Sequence, residues 1–140
     1  MTQEPPTSPW ADSADRVSPD GRYQAVITDA HEIRMGAPTS GTLVIIDKQN
    51  GDRIVRRHEG CNASFVWSSN SDALAVPQWT RDLTQRLIII HVPMGTVTML
   101  PHEFRVLELH SFEDAVVRGV DSPIHMPIPV AAPVWRVMHD

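Results

Sequence analysis

Apolar side chains run four in a row twice in this chain, at Leu43-Val-Ile-Ile46 and at Leu87-Ile-Ile-Ile90. Runs this short, rich in β-branched residues and bounded by polar turns, predict inner strands buried on both faces. Elsewhere apolar and polar positions alternate or break at turn residues. The pattern predicts strands near Tyr23–Thr28, Thr42–Asp47, Arg53–Arg57, Ser64–Val66, Ala73–Val76, Arg86–His91, Thr96–Leu100, Arg105–Leu109 and Ala115–Val120. The segment His102–His110 reads two ways. Glu103, Arg105, Leu107, Glu108 and Leu109 favour helix, whereas Ser111-Phe-Glu-Asp114 looks like a hairpin turn feeding Ala-Val-Val and favours strand, which is the assignment adopted. The expected buried set is Val26, Val44, Ile45, Val66, Ala75, Ile88, Ile89 and Val97.

The pattern also repeats. Val17-Ser-Pro-Asp-Gly-Arg-Tyr-Gln-Ala-Val26 aligns without a gap with Trp67-Ser-Ser-Asn-Ser-Asp-Ala-Leu-Ala-Val76, an offset of 67 − 17 = 50 residues. Leu43 to Gly51 then aligns with Leu87 to Gly95 at an offset of 95 − 51 = 44. Each unit reads turn, strand, variable loop, apolar strand, glycine turn, strand. Asn50-Gly51 is a strong hairpin signal, because both residues tolerate positive φ. Repetition at this period points to stacked β-units.

Ser18-Pro-Asp-Gly-Arg-Tyr-Gln-Ala-Val26 resembles the turn and strand of TolB-like and WD-repeat-like β-propeller blades, and residues 67–76 resemble a degenerate second copy. The resemblance covers about residues 15–100 and implies an all-β fold of antiparallel, blade-type meanders. Propellers close with roughly four or more blades, and this length holds two and part of a third. The expected arrangement is therefore open or sandwich-like, not a closed propeller. Residues 1–15 are expected to form a loose, proline-rich arm with Trp10 pinned to the body. A single β domain should follow over 16–140, with meanders at 17–66 and 67–110. The proline-spaced segment 121–140, centred on Ile124–Val130, is expected to be an edge strap.

Composition agrees with one domain. The hydrophobic share is 41% and prolines outnumber glycines by 12 to 7, which disfavours long helices. The net charge of −5, with no basic cluster beyond Arg56-Arg57, argues against nucleic acid and is compatible with a basic protein partner. The first ten residues carry neither a basic n-region nor an apolar h-region, and no run reaches membrane-spanning length. With the single cysteine, Cys61, this reads as a reducing cytoplasm without membrane attachment.

Catalytic and cofactor chemistry find little support. His91, His102 and His110 lack the close pairing of a zinc site, so no metal ligand and no cofactor is assigned. His58 precedes Cys61 by three residues and would lower the thiol pKa if the two faced each other. A free cysteine is more often a small buried hydrophobe. Ser68-Ser-Asn-Ser71 contains no nucleophile elbow.

Two loops at equivalent places in the repeat, 29–41 and 78–85, hold residues that turn chemistry does not need. Arg34 and Met35 lie in the first, and Trp79, Arg81 and Asp82 in the second. Trp and Arg are enriched at binding hot spots, and these five residues are the candidate partner site; a Trp79 folded back as a lid on the core edge is the competing reading. The expected function is a non-catalytic protein-binding module. Its short, acidic, leaderless profile is similar to that of small bacterial immunity proteins that neutralise toxins. A self-associating homo-oligomer, or an enzyme built on Cys61 and His58 or a histidine-bound metal, is the alternative.

Overall fold

A computed structural model of the protein describes residues 5–134. Eleven strands follow one another: β1 (Ala14–Val17), β2 (Tyr23–Glu32), β3 (Thr39–Asp47), β4 (Arg53–Cys61), β5 (Val66–Trp67), β6 (Ala73–Trp79), β7 (Gln85–His91), β8 (Thr96–Phe104), β9 (Leu107–Glu113), β10 (Val116–Asp121) and β11 (Ile128–Pro133). No helix interrupts them among the described residues, and every pairing is antiparallel. One sheet has the order β1-β2-β3-β4-β6-β7-β8 with β5 alongside β6; a second has the order β11-β10-β9. The fold is all-β and open, with neither a closed barrel nor a closed propeller.

The chain divides into three successive meanders, β1–β4, β5–β8 and β9–β11. The first two share only one strand pair, Cys61 with Gln78. They are held together mainly by burial. Ala25, Ile27, Leu43 and Ile45 of the first meander pack with Leu74, Val76, Ile88 and Ile90 of the second in one core cluster. The opposite face of β6 and β7, carrying Ala73, Ala75, Leu87 and Ile89, packs with Leu107, Leu109, Phe112 and Val117 of the third meander. Leu87 to Ile90 are thus buried on both faces, as a continuous apolar run predicts.

The repeat is reproduced atom by atom in the two turns. Ser18 N–H donates to Tyr23 O at 2.8 Å, and Ser68 N–H to Ala73 O at 2.8 Å. Ser18 Oγ donates to Asp20 Oδ1 at 2.7 Å, and Ser68 Oγ to Asn70 Oδ1 at 2.6 Å. Both hydroxyls also accept a backbone N–H, from Tyr23 and from Ala73, at 3.0 Å. Such side-chain bonds to nearby backbone are how Ser, Asp and Asn specify turns. Gly21 has φ +78°, and Ser71 takes the same left-handed conformation at +68°. The Arg22 N–H bonded to Asp20 holds its carboxyl below the usual carboxylate range, with the Ser18 hydroxyl helping. The turns also touch each other, since Asp20 N–H donates to Ser71 Oγ at 2.9 Å.

Several expectations are corrected. The loose arm is docked where it is described: β1 pairs with β2, and Pro9 is buried because its carbonyl accepts from Asn62 and Thr39. The variable loops are shorter than expected. β2 continues through a bulge at Asp29 to Glu32, and the loops shrink to residues 33–38 and 80–84. Residues 102–110 are strand, as expected, apart from 105–106, and only the bounds placed at Arg105–Leu109 move: β8 runs to Phe104 and β9 starts at Leu107, with the N–H groups of Arg105 and Val106 both donating to Asp121 Oδ1 at 3.1 Å. The hairpin turn expected at 111–114 lies at Asp114-Ala115, because Phe112 is drawn into the core as part of β9. The proline-spaced segment contains a true edge strand, β11, paired with β10. Val26 is only half-buried, since it faces away from the second meander, and Val97 is 37% exposed on the edge strand β8. Residues 1–4 of the arm and 135–140 of the strap lie outside the described residues.

The Asp114-Ala115 turn yields a direct test. Both residues sit in the left-handed region, at φ +51° and +59°. That conformation costs an L-residue roughly 1–2 kcal/mol, more than the roughly 0.5–1 kcal/mol of extra chain entropy that glycine loses on folding. Ala115→Gly should therefore raise the thermal unfolding midpoint, measured by circular dichroism; a lower midpoint would contradict the turn geometry.

Candidate functional site

The loops at one end of the meanders are tied into a continuous surface. Trp79, at the last position of β6, donates from Nε1 to Thr39 O, the first position of β3, at 3.0 Å. The same carbonyl accepts from Asn62 Nδ2 at 2.9 Å, and that amide also donates to Pro9 O at 2.7 Å. Asn62 is fully buried, and its Oδ1 accepts from Ser64 N–H at 3.0 Å, so its amide is satisfied on both sides. Trp10 Nε1 donates to Gly36 O at 3.1 Å, pinning the N-terminal segment against the 33–38 loop. Glu32 Oε2 accepts from Gly36 N–H at 3.0 Å and shapes the same loop from inside.

The ties continue across the second and third meanders. Thr80 and Thr84 hydroxyls bond at 2.7 Å across the base of the 80–84 loop, and the Thr84 hydroxyl donates to Glu103 Oε1 at 2.7 Å. Fully buried Gln85 accepts Leu107 N–H on its Oε1 at 2.6 Å, while its Nε2 has no partner among the described residues. Ser122 N–H donates to Val106 O at 2.9 Å, joining the 122–127 loop to the β8–β9 turn. Each loop is therefore bonded to the next, which lowers the entropy lost when such a surface engages a ligand.

The five candidate residues fall on this end in two groups. Arg34 and Met35 lie exposed in the 33–38 loop, Met35 almost wholly so at 98%, and Arg81 and Asp82 lie exposed in the 80–84 loop. The bonds that join the loops run through Trp79, Thr39, Asn62 and Pro9, not through those four side chains. Trp79 is half-buried and fixed by its N–H, a position between free hot spot and core lid. Sequence reasoning missed Asn62, whose neighbours carry no signal of a buried amide. It also missed the 122–127 loop as part of the same end. There Ile124 is 64% and Met126 88% exposed, with Ile128 beside them at 60%.

The reactive candidates lie elsewhere or are silenced. Cys61 is fully buried on β4, and burial pushes its thiol from 9.0 up to about 12. His58 is turned to Gln78, with Nε2 and Oε1 2.6 Å apart. His91 accepts Met94 N–H on its Nδ1, His102 packs on the Phe104 ring, and His110 meets Glu108 at 2.8 Å. Among the described residues no group of three or more His, Cys, Asp or Glu side chains is placed to hold a metal ion. No helix among the described residues is long and apolar enough to cross a membrane. Compared with protein-family models the chain matches none, and a comparison with curated proteins finds no match either.

Two outcomes follow from this geometry. Trp79→Phe keeps an aromatic ring, though a smaller one, and deletes the donor to Thr39 O, the lost bond alone costing about 0.5–1.5 kcal/mol. Amide exchange should accelerate in residues 33–41 while the β6–β7 hairpin stays protected; uniform protection would show that the bond does not hold the loop. Cys61 should resist iodoacetamide at pH 8 in the folded protein and react once unfolded. The raised thiol value also sets a sign. The neutral buried thiol supports the fold fully below about pH 9, and its contribution is lost as pH climbs towards about 12.

Proposed function

We propose that the protein is a non-catalytic protein-binding module acting through this loop end, in the manner of a bacterial immunity protein that blocks a toxin. The observation that carries the reading is the Trp79–Thr39 bond. It fixes side by side two loops whose tips expose Arg34, Met35, Arg81 and Asp82. Large exposed side chains on a bonded, pre-ordered frame suit recognition, because little ordering cost is left to meet on binding. The exposed Ile124 and Met126 extend the apolar part of the same end.

The chain's net charge of −5 favours a basic partner domain during encounter, and a cytoplasmic setting suits the free Cys61 thiol. The reading based on Cys61 and His58 as a catalytic pair gains no support from a thiol held near 12, since the thiolate is the nucleophile.

The test is affinity capture on immobilised protein from the source cells, comparing the parent with Met35→Asp and Arg81→Glu variants. Both positions are exposed, so folding should be untouched. The expected result is a specific protein retained by the parent and lost from both variants. Recovery of the same protein in equal amounts from all three would reject the loop end as the contact.

A further inference from the structure

Successive meanders meet through equivalent positions, and among the described residues one set of those positions has no meander packed on it. Val76, Ile88 and Ile90 of the second meander pack into the cluster formed with the first. The repeat offsets carry them back to Val26 (76 − 50), Val44 (88 − 44) and Ile46 (90 − 44). Those three residues share the opposite face of β2 and β3, with Ile54 of β4 paired to Ile46. None of the four belongs to either core cluster; Val44 is nonetheless only 6% exposed, Val26 and Ile46 are half-buried, and Ile54 is 44% exposed. At the other end of the stack, Val117 and Gly119 of β10 turn inward, so Val116, Arg118 and Val120 turn outward with their β11 partners Pro133, Ala131 and Pro129. That is the side a following meander would cover.

We infer that the chain associates head to tail with a second copy, the Val26–Val44–Ile46–Ile54 face of one seated on the Val120–Pro129–Ala131 face of the other. The contact would repeat between chains the packing the chain already uses twice within itself. Each face carries one charge of either sign, Arg118 standing in the middle strand of the second face between Val116 and Val120. Arg57 lies beside Val44 and Asp15 beside Val26 on the first face, and Glu108 lies beside Val120 and Arg118 beside Ala131 on the second. Strand addition at the β11 edge is disfavoured, because Pro129 and Pro133 lack the N–H that a new strand would need. Two copies supply twice three meanders, within the roughly four to eight at which rings of such units close. A head-to-tail contact that closes stops at a defined size rather than growing into a filament.

Sedimentation velocity over a concentration series tests this on the 140-residue chain. The expected mass is twice that of the chain. Ile54→Lys and Ala131→Lys, both at exposed positions, should each shift the mass to a single chain with an unchanged far-UV spectrum. An equimolar mixture of the two variants should recover a two-chain species, because each supplies the face that the other lacks. A parent protein of single-chain mass at every concentration would overturn the inference and leave the face to another protein. A two-chain mass that survives both lysines, or a mixture of variants that stays single-chain, would equally overturn head-to-tail pairing.

Discussion

The double burial of the β6–β7 hairpin is the constraint on which the rest of the structure depends. Leu74, Val76, Ile88 and Ile90 face one cluster and Ala73, Ala75, Leu87 and Ile89 the other, so one hairpin serves both cores. Side chains alternate strictly along a strand, and a one-residue slip in register would exchange every residue between the two. The small residues lie together on one side of β6, Ala73 and Ala75 opposite Leu107, Leu109 and Phe112, and this lets the third meander approach closely. Within the third meander Gly119 is needed at the β9–β10 bulge, for a Cβ there would strike the Glu108 carbonyl of the paired strand. With a single strand pair linking the first two meanders, shared burial together with side-chain hydrogen bonds such as Trp79 to Thr39 and Asp20 to Ser71 fixes how they sit.

Much of this was legible in the sequence. Four-residue apolar runs and a gapless repeat locate β3, β7 and the two serine turns, because hydrophobic period and turn chemistry are local properties. What escaped depends on partners distant in sequence. Ala14–Val17 looks like a polar tail, and becomes a strand only because β2 offers a free edge. The left-handed Asp114-Ala115 turn has no glycine to announce it; the demand that Phe112 and Val117 both point into the core places it there. Val97 looks like a core residue by pattern, but its strand has a neighbour on one side only.

The same division holds for the candidate site. The placement of the two loops at one end followed from their equivalence in the repeat, and Trp79 with Thr39 joins them. The frame beneath was invisible. Asn62 bonds to Pro9, Thr39 and Ser64, residues separated by up to 53 positions, and nothing local marks it as a buried hub. The third loop, with Ile124 and Met126, was read as an edge cover because prolines dominate its composition. Its exposure is a consequence of where β10 ends, at Asp121, whose carboxylate is occupied by the Arg105 and Val106 N–H groups.

These two exposed surfaces make different physical demands. The loop end is ordered by hydrogen bonds to backbone carbonyls, several of them buried, so its shape is set before any partner arrives. The outer faces of the stack are ordered by the sheets themselves, one carrying Val26, Val44, Ile46 and Ile54 and the other Val116, Arg118 and Val120. A sheet face built at the same repeat positions as a buried one keeps its apolar character, since the same β-branched residues stabilise the strand whether or not it is covered. Covering such a face adds burial without rearranging the loops, because the loops project from the ends of the strands and the faces lie along them. Substitutions at Ile54 or Ala131 and substitutions at Met35 or Arg81 therefore change different atoms, and either surface can be altered while the other is left in place.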